Sequence, residues 1–283
     1  MVMLVREQHR DYARVAFLDA LLAGDTPVLE SEPRGNLGKP EFITGTDEIF
    51  EPEALLFRDD LTLPIGRIPW LVGVLEKLQA LAPAVCRLEV SGGGVWKHGT
   101  GFRIAHDLLL TNYHVLTISG GKLAQAVAEF GFDDDGRGGG KTSTAVRCDV
   151  ASVRADRAGD WGVIRVMDSL PDGIPIIRLS EAATPLLNDP AFVVQHPGGT
   201  RKRVGFVRNQ IINITDRVIH YLTDTQSGSS GAPVFDDMGR LIALHHAGGR
   251  PQEVAGKPAI QKNEGIVIPV VLEGLARATI EVP

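Results

Sequence analysis

Three short segments hold residue types that together could turn a hydroxyl into a nucleophile. Gly228-Ser229-Ser230-Gly231-Ala232-Pro233-Val234 sets a serine in a glycine-flanked turn, where backbone N–H groups can converge beside the side chain. An apolar run from residue 107 leads into Thr111-Asn112-Tyr113-His114-Val115, and Asp160-Trp161-Gly162-Val163-Ile164-Arg165-Val166 opens an alternating run with an acid. A serine hydroxyl is a weak nucleophile at its ordinary pKa. It needs an adjacent imidazole as base and a carboxylate that fixes the imidazole tautomer. His114, Asp160 and Ser230 supply those groups in chain order, although Asp156 and Asp168 compete for the acid's role and Ser229 for the nucleophile's. A nucleophile elbow is excluded, because a glycine follows Ser230 directly and Ala232 stands where Gly-x-Ser-x-Gly requires glycine.

Groups so far apart in sequence meet only if regular elements carry them to one cleft. After Pro83 the chain breaks into short β-rich runs separated by Gly, Asp and Asn turns, the pattern of antiparallel barrels. Strands over residues 85–90, 101–104, 108–111, 144–150 and 162–166 fit a first barrel, about 83–170. Strands over 174–179, 191–195, 203–214, 218–223, 232–235 and 241–245 fit a second, about 171–265, and 268–277 reads as a closing helix. Residues 1–82 form a separate helical and linker segment. Tyr12, Val15, Leu18 and Leu22 mark a helix over 6–23, residues 25–40 lose all periodicity, and Trp70, Leu71, Val74, Leu75 and Leu78 mark a helix over 68–82.

A chain of 283 residues can bury one large core or two small ones. With 43% hydrophobic and 23% charged residues it has an ordinary globular composition, and no apolar run approaches a membrane span. The net charge of -6 argues against nucleic acid as partner, and the basic Arg201-Lys202-Arg203 reads as a solvated strand edge. The opening Met1–Arg10 turns charged too early for the apolar core of an export signal, so a cytoplasmic protein is expected. Cys86 and Cys148 are too few for a disulfide scaffold, which agrees with a reducing compartment, and their spacing gives no zinc motif. Residues 132–140 are rich in Asp and Gly but lack the alternating ligand spacing of a calcium loop, so they read as a solvated hairpin. No metal and no cofactor are expected.

With these segments on the page, the chain resembles the trypsin-like serine peptidases, and within them the branch of bacterial glutamyl endopeptidases of the V8 type. The likeness rests on Gly99-Thr100-Gly101-Phe102, Thr111 to Val115, Asp160-Trp161, Gln195-His196-Pro197-Gly198-Gly199, Thr223-Asp224-Thr225, Gly228 to Val234 and His245-His246-Ala247-Gly248-Gly249. It spans roughly residues 84–272. The resemblance implies a chymotrypsin-like fold of two antiparallel six-stranded β-barrels, with an N-terminal helical extension and a C-terminal helix. It implies a serine endopeptidase acting through an acyl-enzyme, with His114 as general base, Asp160 orienting it, Ser230 as nucleophile and the N–H groups of Gly228 and Ser230 as oxyanion hole.

The same resemblance leaves the substrate open. Thr225 and His245 match residues that contact an acidic P1 side chain, whereas Asp224 stands where trypsin carries its basic-selective aspartate. His246 and Gly248 are expected along the substrate-binding edge. Ser229 replaces the aspartate that pairs with a freed N-terminus in trypsin-like zymogens, so control is expected to reside in residues 1–82 or in a regulatory protein bound there. The partners are then a protein or peptide substrate and that regulator, with neither nucleic acid nor membrane. Two other readings compete: a non-catalytic peptide-binding module on the same fold, which an intact triad disfavours, and an HtrA-like quality-control protease, which would normally continue into a PDZ domain.

Overall fold

The computed structural model describes residues 68–118, 121–206, 209–254 and 257–283. The helix expected over 6–23 and the linker over 25–40 lie outside the described residues. The first described element is α1 (Ile68–Leu81), which buries Val74 and Leu78 four residues apart on one face while Leu75 stays exposed. Six strands follow: β1 (Val85–Gly92), β2 (Val95–Arg103), β3 (Leu108–Thr111), β4 (Gln125–Phe130), β5 (Thr144–Asp156) and β6 (Trp161–Val166). They close into an antiparallel barrel in the order β1-β2-β3-β6-β5-β4.

Seven more strands build the second unit: β7 (Phe192–Gln195), β8 (Arg203–Gly205), β9 (Ile211–Ile214), β10 (Val218–Tyr221), β11 (Pro233–Phe235), β12 (Leu241–Val254) and β13 (Lys257–Val267). They hydrogen-bond in the order β8-β7-β11-β12-β13-β10-β9. The last helix is α2 (Ile268–Arg277), at the expected bounds, with Pro269 in its first turn where a missing N–H costs nothing. The mostly β, two-unit, chymotrypsin-like architecture is as expected. The second unit, however, is a seven-stranded sheet where six barrel strands were expected.

Local chemistry explains the other differences. Residues 174–179 form no strand: Pro175 has no N–H to give a ladder, and the segment is tied down by the N–H of Ile177 on Arg103 O at 2.9 Å. The single run expected over 203–214 is divided into β8 and β9. Two strands, β4 and β13, were not expected at all. The hairpin at 132–140 is pinned by Asp135, whose carboxylate accepts the N–H groups of Arg137 and Gly139. Both cysteines are free and buried. Burial pushes the Cys148 thiol up to about 12 and raises Cys86 too, so both stay protonated and unreactive at neutral pH.

The core positions the site through β3 and β6. Leu109 and Ile164 face the interior of the closed barrel with Leu88, Val90 and Phe130. Leu108, Leu110, Trp161 and Val163 face the other way, into a second core shared with Phe235, Leu244, Val271 and Leu275. These two strands are thus buried on both sides and form the wall between the cores, with side chains alternating between them. They pair antiparallel from Leu108↔Arg165 to Thr111↔Gly162. Whatever follows Thr111 and whatever precedes Trp161 must therefore emerge side by side at one end of that wall.

Candidate active site

His114 leaves β3 at that end and Asp160 enters β6 there. Asp160 occupies a left-handed backbone conformation, φ 42°, which aspartate tolerates better than most residues. The preceding turn is held by Asp156, whose carboxylate accepts the N–H groups of Ala158 at 3.0 Å and Gly159 at 3.2 Å. The buried Asn112 amide donates to the carbonyl of Asp160 at 2.9 Å. Of the three acids considered for the orienting role, Asp156 is thus engaged in the turn and Asp168 pairs with Arg147 at the surface. Asp160 alone reaches the histidine.

Two separate groups of His114 contact the Asp160 carboxylate. The backbone N–H donates to Oδ1 at 3.0 Å, and ring Nδ1 lies 2.8 Å from Oδ2. A carboxylate only accepts, so Nδ1 carries the proton and Nε2 presents its lone pair away from the acid. Burial alone would raise the Asp160 carboxyl, but hydrogen bonds from His114 and His246 outweigh it and hold the group far below the ordinary carboxylate range. The Lys97 ammonium ties the loop from behind by donating to the carbonyls of His114 and Thr117. The imidazole remains 45% exposed while the acid is 18% exposed, so the ring is open to an incoming molecule and the carboxylate behind it is shielded from solvent.

The serine turn docks on the same end of the first barrel. Ser230 O accepts the N–H of Thr100 at 2.8 Å, while the Gly231 N–H donates to His245 O, also at 2.8 Å. Gly231 has φ +89°, and a Cβ there would overlap Thr100 O and the Thr111 hydroxyl, so only glycine allows this approach. A Cβ built on Gly99 would lie 2.6 Å from a Val115 methyl and 3.4 Å from Ser230 O. The histidine loop and the serine turn therefore converge on one point of β2. Ser229 is fully buried with its hydroxyl accepting the Gln226 N–H, whereas Ser230 is only partly buried, which separates the two serines. Among the described residues the Ser230 hydroxyl makes no hydrogen bond within the chain, so its contact with His114 is not closed. Such bonds commonly tighten only when substrate binds.

Gly228 has φ +93°, and among the described residues neither its N–H nor that of Ser230 is donated within the chain. Two undonated amides flanking a partly buried hydroxyl can receive a developing negative oxygen. Their geometry is braced by the Thr100 hydroxyl, which donates to Gly228 O at 2.9 Å and accepts the His196 N–H at 3.0 Å. His196 is buried and donates from Nδ1 to Thr200 O, and burial lowers its pKa to about 4, so it acts as a neutral turn support.

The expected substrate-binding residues divide. His245 and Thr225 are buried, and Asp224 is half-buried with its carbonyl held by the Gln195 amide at 2.9 Å. His245 Nδ1 lies 2.6 Å from the Tyr221 hydroxyl; burial, with the nearby His246 and His114, lowers its pKa to about 3 and keeps it neutral. Gly248 follows in β12. His246 differs from expectation: both its ring nitrogens are engaged, by Asp160 at 3.0 Å and Glu264 at 2.6 Å, so it faces the acid rather than the substrate edge. Glu264 and His220, 2.7 Å apart, were not singled out as a pair in the sequence, and their link to Asp160 has no sequence signature.

A barrel and a sheet joined at a His–Asp pair beside a glycine-bounded serine turn define a class, and the family comparison agrees. The chain belongs to the trypsin-like peptidase family: the model of the trypsin-like peptidase domain matches residues 99–244. It is similar to the protein y4fB of Sinorhizobium fredii, 34% identical over 206 residues, covering 65% of this chain and 31% of that protein. It is also similar to secreted RxLR effector protein 73 of Plasmopara viticola, 31% identical over 110 residues, covering 35% of this chain and 27% of the effector. The chain thus spans less than a third of the length of these curated relatives. Among solved structures, the active form of the Rv3671c protease of M. tuberculosis superposes with a TM-score of 0.54 at 19% identity, covering 76% of this chain and 88% of that one. The HtrA-type protease AlgW superposes at 0.53 and 19% identity, covering 74% and 64%. At such identities the likeness is one of fold. Among the described residues, no helix is long and apolar enough to cross a membrane.

Proposed function

We propose that this protein is a serine endopeptidase that cleaves peptide bonds through an acyl-enzyme. The observation that carries this reading is the Asp160 carboxylate held by both the N–H and the ring of His114, beside the turn with two undonated amides at Gly228 and Ser230. In the first step Ser230 Oγ bonds to the substrate carbonyl carbon and its proton passes to His114 Nε2. The carbonyl oxygen, now negative, sits on the Gly228 and Ser230 N–H groups. Collapse breaks the C–N bond, and the proton moves from His114 to the departing amine. Water then attacks the ester by the same route in reverse roles, returning the proton to Ser230.

The test is labelling with a fluorophosphonate, which reacts with an activated serine hydroxyl. Wild-type protein is expected to be labelled and to hydrolyse peptides, and Ser230→Ala to do neither. Labelling that survives Ser230→Ala, or none in the wild type, would return the protein to the non-catalytic peptide-binding reading. Gly228→Ala probes the amides. A Cβ there meets backbone only, Gly199 N at 2.8 Å and His196 O at 2.9 Å, in a φ region L side chains rarely adopt. The turn must shift, so kcat should fall by about 100- to 1,000-fold, with a smaller change in KM.

For the substrate, the reading favoured is an acidic P1 side chain, as in the V8-type branch. A neutral His245 whose Nδ1 is occupied by Tyr221 can offer a carboxylate one N–H donor from Nε2. A P1-scanned peptide library gives the answer, and turnover confined to Arg and Lys would assign selectivity to Asp224 instead. The proposal extends to conditional activation through residues 1–82 by a cytoplasmic partner, for which equal activity of the full chain and a truncation, with and without that partner, is the contrary result.

A further inference from the structure

Behind Asp160 the second sheet carries a row of polar side chains that the acyl-transfer steps do not use. In register, Asn213 of β9 pairs with His220 of β10, and His220 pairs with Glu264 of β13. On β12 the ladder slips: His245 stands opposite Gly265 and Ala247 opposite Glu264, which leaves His246 as the extra residue of a β-bulge. A bulge re-aims the extra side chain. Here it carries the His246 ring between two carboxylates, with Nδ1 3.0 Å from Asp160 Oδ2 and Nε2 2.6 Å from Glu264 Oε1. The other Glu264 oxygen is 2.7 Å from His220 Nε2. His220 Nδ1 lies 2.9 Å from the Asn213 amide nitrogen and 3.2 Å from Lys262 Nζ.

Donor and acceptor rules fix the protons along this row. Lys262 can only donate, so His220 Nδ1 accepts and Nε2–H donates to Glu264. Both His246 nitrogens face carboxylate oxygens, so with Asp160 and Glu264 ionised both carry protons and the ring is an imidazolium held between two anions. The order from the solvent inward is then His114, Asp160 negative, His246 positive, Glu264 negative, with His220 and Lys262 behind it.

We propose that His246 is a positioning residue for the catalytic acid, kept doubly protonated by Glu264 and His220, so that the orienting carboxylate is gripped from behind by a cation as well as from in front by the base. This rests on the peptidase reading above. The titratable and charged groups around His246 are Asp160 at the start of β6, Glu264 and Lys262 on β13, His245 beside it on β12, His220 on β10 and His114 in the loop after β3. The Lys97 ammonium on β2 lies near Asp160, and the Arg217 guanidinium donates to Ala158 O in the preceding turn. Burial works against the His246 cation, but the hydrogen bonds to Asp160 and Glu264 outweigh it, and the net displacement is upward. A group displaced upward keeps its grip below its ordinary pKa and loses it as pH rises through the folded value. Deprotonation leaves a lone pair facing a carboxylate, so kcat acquires an alkaline loss that belongs to His246.

His246→Ala should lower kcat by about 10- to 100-fold, with KM little changed, and abolish the alkaline loss. His246→Gln, which keeps a donor toward Asp160, should recover most of kcat at neutral pH and remain insensitive on the alkaline side. Glu264→Gln should move the alkaline loss down by about one pH unit or more. The independent readout is the nitrogen NMR spectrum of the full chain labelled at histidine, with His246 assigned by its disappearance in His246→Gln. Its two nitrogens should both be protonated at pH 7, and Glu264→Gln should lower the pH at which one is lost. If the protein proves not to be a peptidase, the NMR titration still decides the protonation claim. A neutral His246 at pH 7, or an alkaline loss unmoved by Glu264→Gln, overturns the proposal even where His246→Ala fails to fold.

Discussion

His114→Ala is expected to lower kcat for peptide hydrolysis by roughly a million-fold while leaving KM within a few-fold of its original value. In the proposed mechanism its Nε2 is the ring nitrogen left to take the Ser230 proton, because Nδ1 is committed to Asp160 at 2.8 Å. Removing the ring leaves the serine with only water to take that proton, at a barrier close to that of an unassisted alcohol. The Gly228 and Ser230 amides still receive the oxyanion, so a residual rate above solution hydrolysis should survive, and its further loss in a His114→Ala, Ser230→Ala pair should be slight. Steady-state kinetics with one peptide decides the point. A loss of only tenfold would mean that some other group takes the proton.

Asp160→Asn is the second large effect, with kcat falling by about 10,000-fold at neutral pH. The amide keeps the shape of the acid but replaces an oxygen with a donor. His114 then loses the acceptor that keeps its proton on Nδ1, and the tautomer with a lone pair toward Ser230 is no longer preferred. Because the same carboxylate receives His246 at 3.0 Å, this substitution removes the partner of two imidazoles at once. It also changes stability with pH. The Asp160 carboxyl lies below its ordinary value in the folded chain, so its contribution is present above about pH 3.9, the unfolded value, and is lost as pH falls through the folded one. Acid unfolding followed by circular dichroism should therefore be shallower in Asp160→Asn than in the wild type.

How much of this was readable beforehand depends on whether a feature is local. The His114, Asp160 and Ser230 segments could be found from sequence because each has a local signature: an apolar run leading into His114, one that Asp160 opens, and glycines on either side of the Ser229-Ser230 pair. The β3 and α2 bounds were readable for a related reason: Leu108 to Leu110 is uninterrupted, and α2 opens on Ile268-Pro269. By contrast, β4 escaped because Ala126 and Ala128 give a weak alternation. The 174–179 segment looked like a strand from its isoleucines although Pro175 bars a ladder. β13 was missed because the residues that fill it, Lys262, Asn263 and Glu264, lack the apolar alternation that marks a half-buried strand. The fate of His246 was illegible for a different reason. Its direction is set by a one-residue slip between two paired strands, and a slip belongs to the pair rather than to either sequence.

The Thr100 hydroxyl joins Gly228 O to the His196 N–H, and its own N–H holds Ser230 O. One residue of the first barrel thereby fastens the second unit at three points, two of them in its serine turn. Parting the two halves would break all three bonds together, so the shape of the serine turn is expected to depend on the seam between the units.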